Sequence, residues 1–160
     1  MRSILYRIFG VLLAVGLVTG SVPIAHAQGG ARSIDVNLST QRITAYEGTT
    51  PVYSAGVTTG RPGWATPTGH FSIVKRVYNE TMISSTIGIP VNSPGGYDLS
   101  GIYFTQYFDW NGDALHYNYW SPSSAFGSYP TSHGCVGMQY GPAAFFWNFA
   151  TYGTPVTVHY

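Results

Sequence analysis

Short runs in which apolar and polar residues alternate, cut every few positions by glycine, proline or asparagine, fill this chain and restrict it to a β-rich fold. Ile34, Val36 and Leu38 alternate with polar neighbours, Ile43 and Ala45 repeat the pattern after Ser39-Thr40, and Glu47-Gly48 marks the next turn, as in an antiparallel meander. Further strands are predicted over residues 52–58, 70–77, 102–108, 114–118 and 155–159. One segment alone reads as a helix: Pro142 suits a first turn, residues 143–150 supply compatible bulk, and Gly153 can end it. Residues 60–69, 88–101 and 120–132 are longer than ordinary connections and are expected to be functional loops.

Residues 1–27 read as a secretory signal peptide. Arg2 and Arg7 form a basic start, residues 8–18 are apolar apart from Gly10 and Gly16, and Ala25-His26-Ala27 fits a small-x-small cleavage site. The apolar stretch is shorter than the roughly 20 residues that span a bilayer, so no stable membrane anchor is expected after cleavage. Residues 28–160 are then one extracytoplasmic domain, in the periplasm, in the cell wall or secreted. Only 8% of residues are charged, and no basic patch suited to nucleic acid or an anionic membrane is visible.

Cys135 is the only cysteine. In an oxidising compartment structural cysteines pair, and this one has no intramolecular partner. His133 two positions earlier can supply charge or a hydrogen bond, and Gly134 lets the backbone approach a ligand closely. Local chemistry leaves two readings open, a nucleophile and a small buried hydrophobe. A nucleophilic thiol needs a base, and His116, on a predicted strand, presents its ring to a neighbouring strand more readily than His133 does from the same tight turn. An imidazolium partner would lower the thiol pKa by about two units, roughly 2.7 kcal/mol.

The residues His116, Tyr119-Trp120, Phe126-Gly127, Ser132-His133-Gly134-Cys135-Val136, Met138, Pro142-Ala143 and Gly153-Thr154-Pro155-Val156, with Thr59-Gly60 and Thr66-Pro67-Thr68-Gly69-His70-Phe71 upstream, resemble the L,D-transpeptidases, the YkuD-type domain of bacterial cell walls. The resemblance implies a curved β-sandwich with one short helix near the C-terminus, in an exported bacterial enzyme acting on peptidoglycan stem peptides. It implies that Cys135 forms a thioester with the third stem residue and expels D-alanine. An amine acceptor then gives a 3-3 cross-link or an exchanged D-amino acid. The alternatives are an L,D-carboxypeptidase, a thiol hydrolase releasing wall proteins, and a weakly active wall-binding module on the same fold.

By the same resemblance His116 is the base, the Tyr117 carbonyl orients its ring, and N–H groups around His133, Gly134 and Cys135 form an oxyanion hole. His133 braces the loop, Ser132 holds the turn, and Tyr117, Tyr119, Trp120 and Gly137 are placed near substrate. No metal or organic cofactor is implied, and carbapenems are expected inhibitors. Two departures stand out. Gly137 replaces the Arg or Asn common two positions after the cysteine, so a side-chain contact is expected to be missing, and Tyr117 replaces a small residue.

Overall fold

The computed structural model describes residues 30–160, so the signal-peptide reading of residues 1–27 and the domain start at 28 lie outside the described residues. Among the described residues nine strands form two sheets, with one α-helix near the C-terminus. The first sheet contains β1 (Arg32–Asn37), β2 (Arg42–Glu47), β3 (Thr50–Gly56), β4 (Gly69–Ser72) and β9 (Pro155–His159), in the order β3-β2-β1-β9-β4. The second contains β5 (Lys75–Ile83), β6 (Asp98–Tyr107), β7 (Ala114–Tyr117) and β8 (Val136–Met138), in that order. The expected mainly β architecture with a short C-terminal helix is what the chain adopts.

Register follows the apolar alternation. Ile34 and Val36 of β1, Ile43 and Ala45 of β2, and Val156 and Val158 of β9 are buried, while their neighbours are half-buried or exposed. Ile34 stands opposite Ala45 on one side and Val156 on the other, so the apolar positions line up across three strands. Each such aliphatic side chain contributes about 1.5–3 kcal/mol by leaving water. A one-residue slip would expose a whole row of them, at a cost comparable to the stability of a typical domain. These rows pack on Leu115, Val136 and Met138 of the second sheet and on Ala143, Phe146 and Phe149 of α1 (Tyr140–Phe149). Tyr53 stacks on Phe145 at 4.0 Å and fixes the helix against β3.

The predicted strand over residues 70–77 is in fact two. β4 ends at Ser72, β5 begins at Lys75, and the chain changes sheet between them. There Ile73 N–H donates to Thr154 O at 3.0 Å and Val74 N–H to Tyr107 O at 2.9 Å, one bond towards each sheet. The meander holds for β1, β2 and β3, but β9 runs parallel to β1 and β8 parallel to β7.

After β3 the chain crosses to the second sheet. Thr58 exchanges both backbone hydrogen bonds with Gly137, at 3.0 and 2.8 Å. The N–H groups of Thr131 and Ser132 both donate to Thr59 O at 3.0 Å, and Arg61 N–H donates to Ser132 O at 3.1 Å. These bonds sew the segment after β3 to the loop that carries Cys135.

Candidate active site

The parallel pair β7–β8 positions the two principal groups. Parallel strands require a crossover of a dozen or more residues, and the one after β7 returns the chain beside it with His116 in register with Gly137. A step of two residues back from Gly137 reaches Cys135, so period-two alternation puts the thiol and the imidazole on one face. Both line a single cleft of about 790 Å³.

His116 is 2% exposed. Its Nδ1 lies 2.8 Å from Tyr117 O. A carbonyl can only accept, so Nδ1 carries the proton and Nε2 keeps an open lone pair. Trp120 stacks over the ring at 5.5 Å with a 15° interplanar angle. Burial pulls the imidazole pKa down to about 4, with the Tyr117 carbonyl acting in the opposite sense. At neutral pH the ring is an uncharged proton acceptor.

Cys135 sits at the end of a turn closed by Ser132. Ser132 Oγ donates to Cys135 O at 2.6 Å and accepts the Gly134 N–H at 3.2 Å. Gly134 has φ +125°, and a Cβ there would collide with Asp113 Oδ1, so this position requires glycine. The thiol points at Gly112 O, with Sγ 3.7 Å away. Burial pushes its pKa up to about 12; Asp113 and Asp109 add to the rise, and the Ala114 and Cys135 N–H groups oppose it. The expectation of a thiol made acidic by imidazolium is therefore overturned for the resting site. A neutral imidazole gives the sulfur no positive charge, and the charged groups that act on it are the Asp113 and Asp109 carboxyls.

His133 does not supply that charge either. It lies between Trp64, edge-on at 5.2 Å, and Tyr97 at 5.3 Å. The Arg61 guanidinium runs along its ring, with Nη2 2.6 Å from Nε2 and Nη1 3.4 Å from Nδ1. Burial lowers its pKa, Arg61 lowers it further, and the Gly95 backbone opposes them.

Other predicted positions divide. Ser132 and Trp120 line the cleft; Tyr117, Tyr119 and Gly137 do not. The Tyr117 ring packs against Tyr119 and Tyr140, and Tyr119 donates to Ser100 O at 3.2 Å. Gly137 is no gap in a substrate site. A Cβ there would stand 2.7 Å from Asn118 Nδ2 and 3.0 Å from Asn118 Cβ, because the Asn118 side chain already fills that space. Gly134 gives its N–H to Ser132, which removes that donor from the expected oxyanion hole. Among the described residues the His133 and Cys135 N–H groups have no carbonyl partner.

Two groups that sequence reasoning did not single out face the cleft. Arg61 comes from the loop after β3, which loop length alone had marked as functional. Asp113 comes from a turn built on Asp109, whose Oδ1 accepts the N–H groups of Asn111, Gly112 and Asp113 at 2.9–3.0 Å. Burial, with the Asp109 carboxyl adjacent, pushes Asp113 up to about 7. Among the described residues no group of three His, Cys, Asp or Glu side chains is arranged to hold a metal ion.

Comparison with known proteins identifies the family and the fold. The model of the YkuD family, the L,D-transpeptidase catalytic domain, matches residues 31–158. L,D-transpeptidase 1 of Mycobacterium tuberculosis is 36% identical over 99 residues, 62% of this chain and 39% of that protein. The chain thus spans about two fifths of that curated relative. An L,D-transpeptidase structure from Mycobacterium smegmatis superposes with TM-score 0.78 at 26% identity, covering 82% of this chain and 60% of that one. An L,D-transpeptidase in complex with imipenem superposes with TM-score 0.77 at 29% identity, covering 81% of this chain and 59% of that one.

Proposed function

Because the chain belongs to the YkuD family of L,D-transpeptidase catalytic domains, we propose that it is an exported cysteine transpeptidase acting on peptidoglycan stem peptides outside the bacterial cytoplasm. The observation that carries this reading is a buried, neutral imidazole whose Nδ1 proton is fixed on Tyr117 O, in the same cleft as the chain's only thiol. That arrangement suits a general base more than a resting ion pair.

A thiol pushed up to about 12 beside an imidazole pulled down to about 4 does not give up its proton at rest. The proton moves as the bond forms. Sγ turns from Gly112 O towards the substrate carbonyl, His116 Nε2 takes the proton, and a C–S bond forms at the carbonyl carbon of the third stem residue. The oxyanion is met by the His133 and Cys135 N–H groups. Collapse breaks the C–N bond, and His116 returns its proton to the departing D-alanine amine. An incoming amine then attacks the thioester, passes its proton to His116 and restores the thiol.

Carbapenems supply a strained acyl donor of the same kind, and a family relative has been captured with imipenem. Intact-protein mass is the direct test. One imipenem should add to the wild type and none to Cys135→Ala, and a stem tetrapeptide should release D-alanine with the wild type only. Cross-linked product identifies a transferase and free tripeptide a carboxypeptidase. If neither reagent ever modifies Cys135 in folded, reduced protein, the wall-binding reading replaces this one.

A further inference from the structure

Arg61 is a half-buried guanidinium with no counter-ion. The ion pairs among the described residues are Arg32–Glu47 and His159–Asp35, and none of these four residues lines the cleft. Its contacts are with uncharged acceptors, the Thr131 carbonyl at 3.3 Å from Nη1 and the His133 ring. Glu80, a carboxylate of the opposite wall, is engaged by Tyr107, whose hydroxyl donates to Oε2 at 3.0 Å. Among the described residues Arg61 is the only Lys or Arg lining the cleft. A partly desolvated guanidinium held in this way presents N–H donors whose fork matches a carboxylate or a phosphate, and of the two a stem peptide carries carboxylates.

The position is built rather than incidental. Arg61 N–H donates to Ser132 O and Arg61 O accepts Trp64 N–H at 2.8 Å, which fix the backbone on both sides. Gly95 lies alongside the guanidinium, where a Cβ would stand in ordinary contact, 3.5 Å from Nη2. Arg61 touches Thr131 and His133, four and two residues before the nucleophile. An extended peptide advances about 3.3 Å per residue, so a group fixed beside that loop meets substrate groups close to the attacked carbonyl.

We propose that Arg61 is a carboxylate anchor that binds a free carboxylate of the donor stem within two residues of the scissile bond, and so selects which stems are accepted. The inference rests on the transpeptidase reading for the identity of the peptide. Two carboxylates qualify, the α-carboxylate of the leaving D-residue and a side-chain carboxylate of the third stem residue.

Calorimetry on the Cys135→Ala protein separates binding from turnover. The probes are the free-acid tetrapeptide, its C-terminal carboxamide, and the tetrapeptide amidated on the third side chain. Adding Arg61→Met should weaken the free acid about tenfold or more, and Arg61→Lys should recover part of the loss. One amidated peptide should bind the Arg61 protein as weakly as the free acid binds Arg61→Met, and Arg61→Met should no longer distinguish those two; that peptide identifies the carboxylate. In active protein the same change should raise KM more than it lowers kcat. Equal binding of all three probes to the Arg61 protein, retained discrimination in Arg61→Met, or no binding at all overturns the anchor. Discriminating binding without acylation of Cys135 in the wild type sinks the transpeptidase reading and leaves the anchor standing. Thermal melting of each variant confirms that it folds.

Discussion

Replacing Asp113 with asparagine tests how the resting site holds its sulfur. A thiol that titrates near 9 is about one part in ten thiolate at pH 8, whereas one that titrates near 12 is about one part in ten thousand. The wild-type thiol is pushed up to about 12, first by burial and next by the Asp113 carboxyl. Alkylation of native protein by iodoacetamide should therefore climb about tenfold per pH unit from pH 8 to 11, where an ordinary thiol has levelled off. Asp113→Asn removes the second cause and leaves the first, so the profile should move down by about one pH unit, with a rate at pH 8 up to about tenfold higher. Intact mass against time, at pH 6 to 11, follows the reaction, and urea-unfolded protein supplies the ordinary profile. The shape of the curve separates acidity from access, because a steric barrier lowers every point alike. A native midpoint at or below about 8.5 would refute the reasoning, as would an Asp113→Asn profile displaced upwards.

Three further outcomes are expected. Gly137→Ala should lose about 1–3 kcal/mol in urea unfolding, because its Cβ must displace Asn118; an unchanged midpoint would mean that the site is roomier than described. His116 titrates near 4 when folded and near 6.5 when not, so between those values the unfolded chain binds the extra proton and stability rises with pH. His116→Gln should flatten that limb by up to about 3 kcal/mol in denaturation at pH 4.5 and 7.5, and an unaltered slope would contradict the buried neutral ring. Finally, His116→Gln should slow acylation by imipenem about a hundredfold or more while His133→Gln changes it far less; the reverse order would transfer the base role to His133.

The strands that carry the inner face were legible because their side chains alternate, and 155–159 was bounded to the residue. Residues 70–77 were not, because the change of sheet at Ile73-Val74 contains no glycine or proline and is made by backbone bonds to distant segments. β8 has three residues, all buried, and owes its existence to β7 on one side and Thr58 on the other. The Ser-His-Gly-Cys run announced the loop that carries the thiol, and the strand pattern around His116 announced its position. The electrostatics of the pair were hidden. They depend on the burial of His116, on how the fold encloses the half-buried thiol, and on Asp113, which reaches Gly134 across a separation of twenty-one residues. Arg61 stands alone in a Gly-Pro-rich stretch, where nothing local marks an arginine as facing a cleft. Gly137 was misjudged because a sequence shows the missing side chain and not the Asn118 that occupies its place.

The parallel pairing of β7 with β8 has a consequence for how such a protein can change. The distance between imidazole and thiol is set by sheet hydrogen bonds at the two ends of the crossover, and the length of chain between those ends does not enter. Pro122, Ser123 and Ser124 are exposed at its far side, while Thr131 and Ser132 are pinned to Thr59 nearer the thiol. Doubling a flexible connection costs only about 0.6 kcal/mol. Residues inserted at the Pro122–Ser124 tip would therefore lengthen the segment that follows Trp120, a lining residue of the cleft, while the imidazole and the thiol stay where they are. Mutation can thus vary the length of this segment without moving the two groups that the sheet holds together.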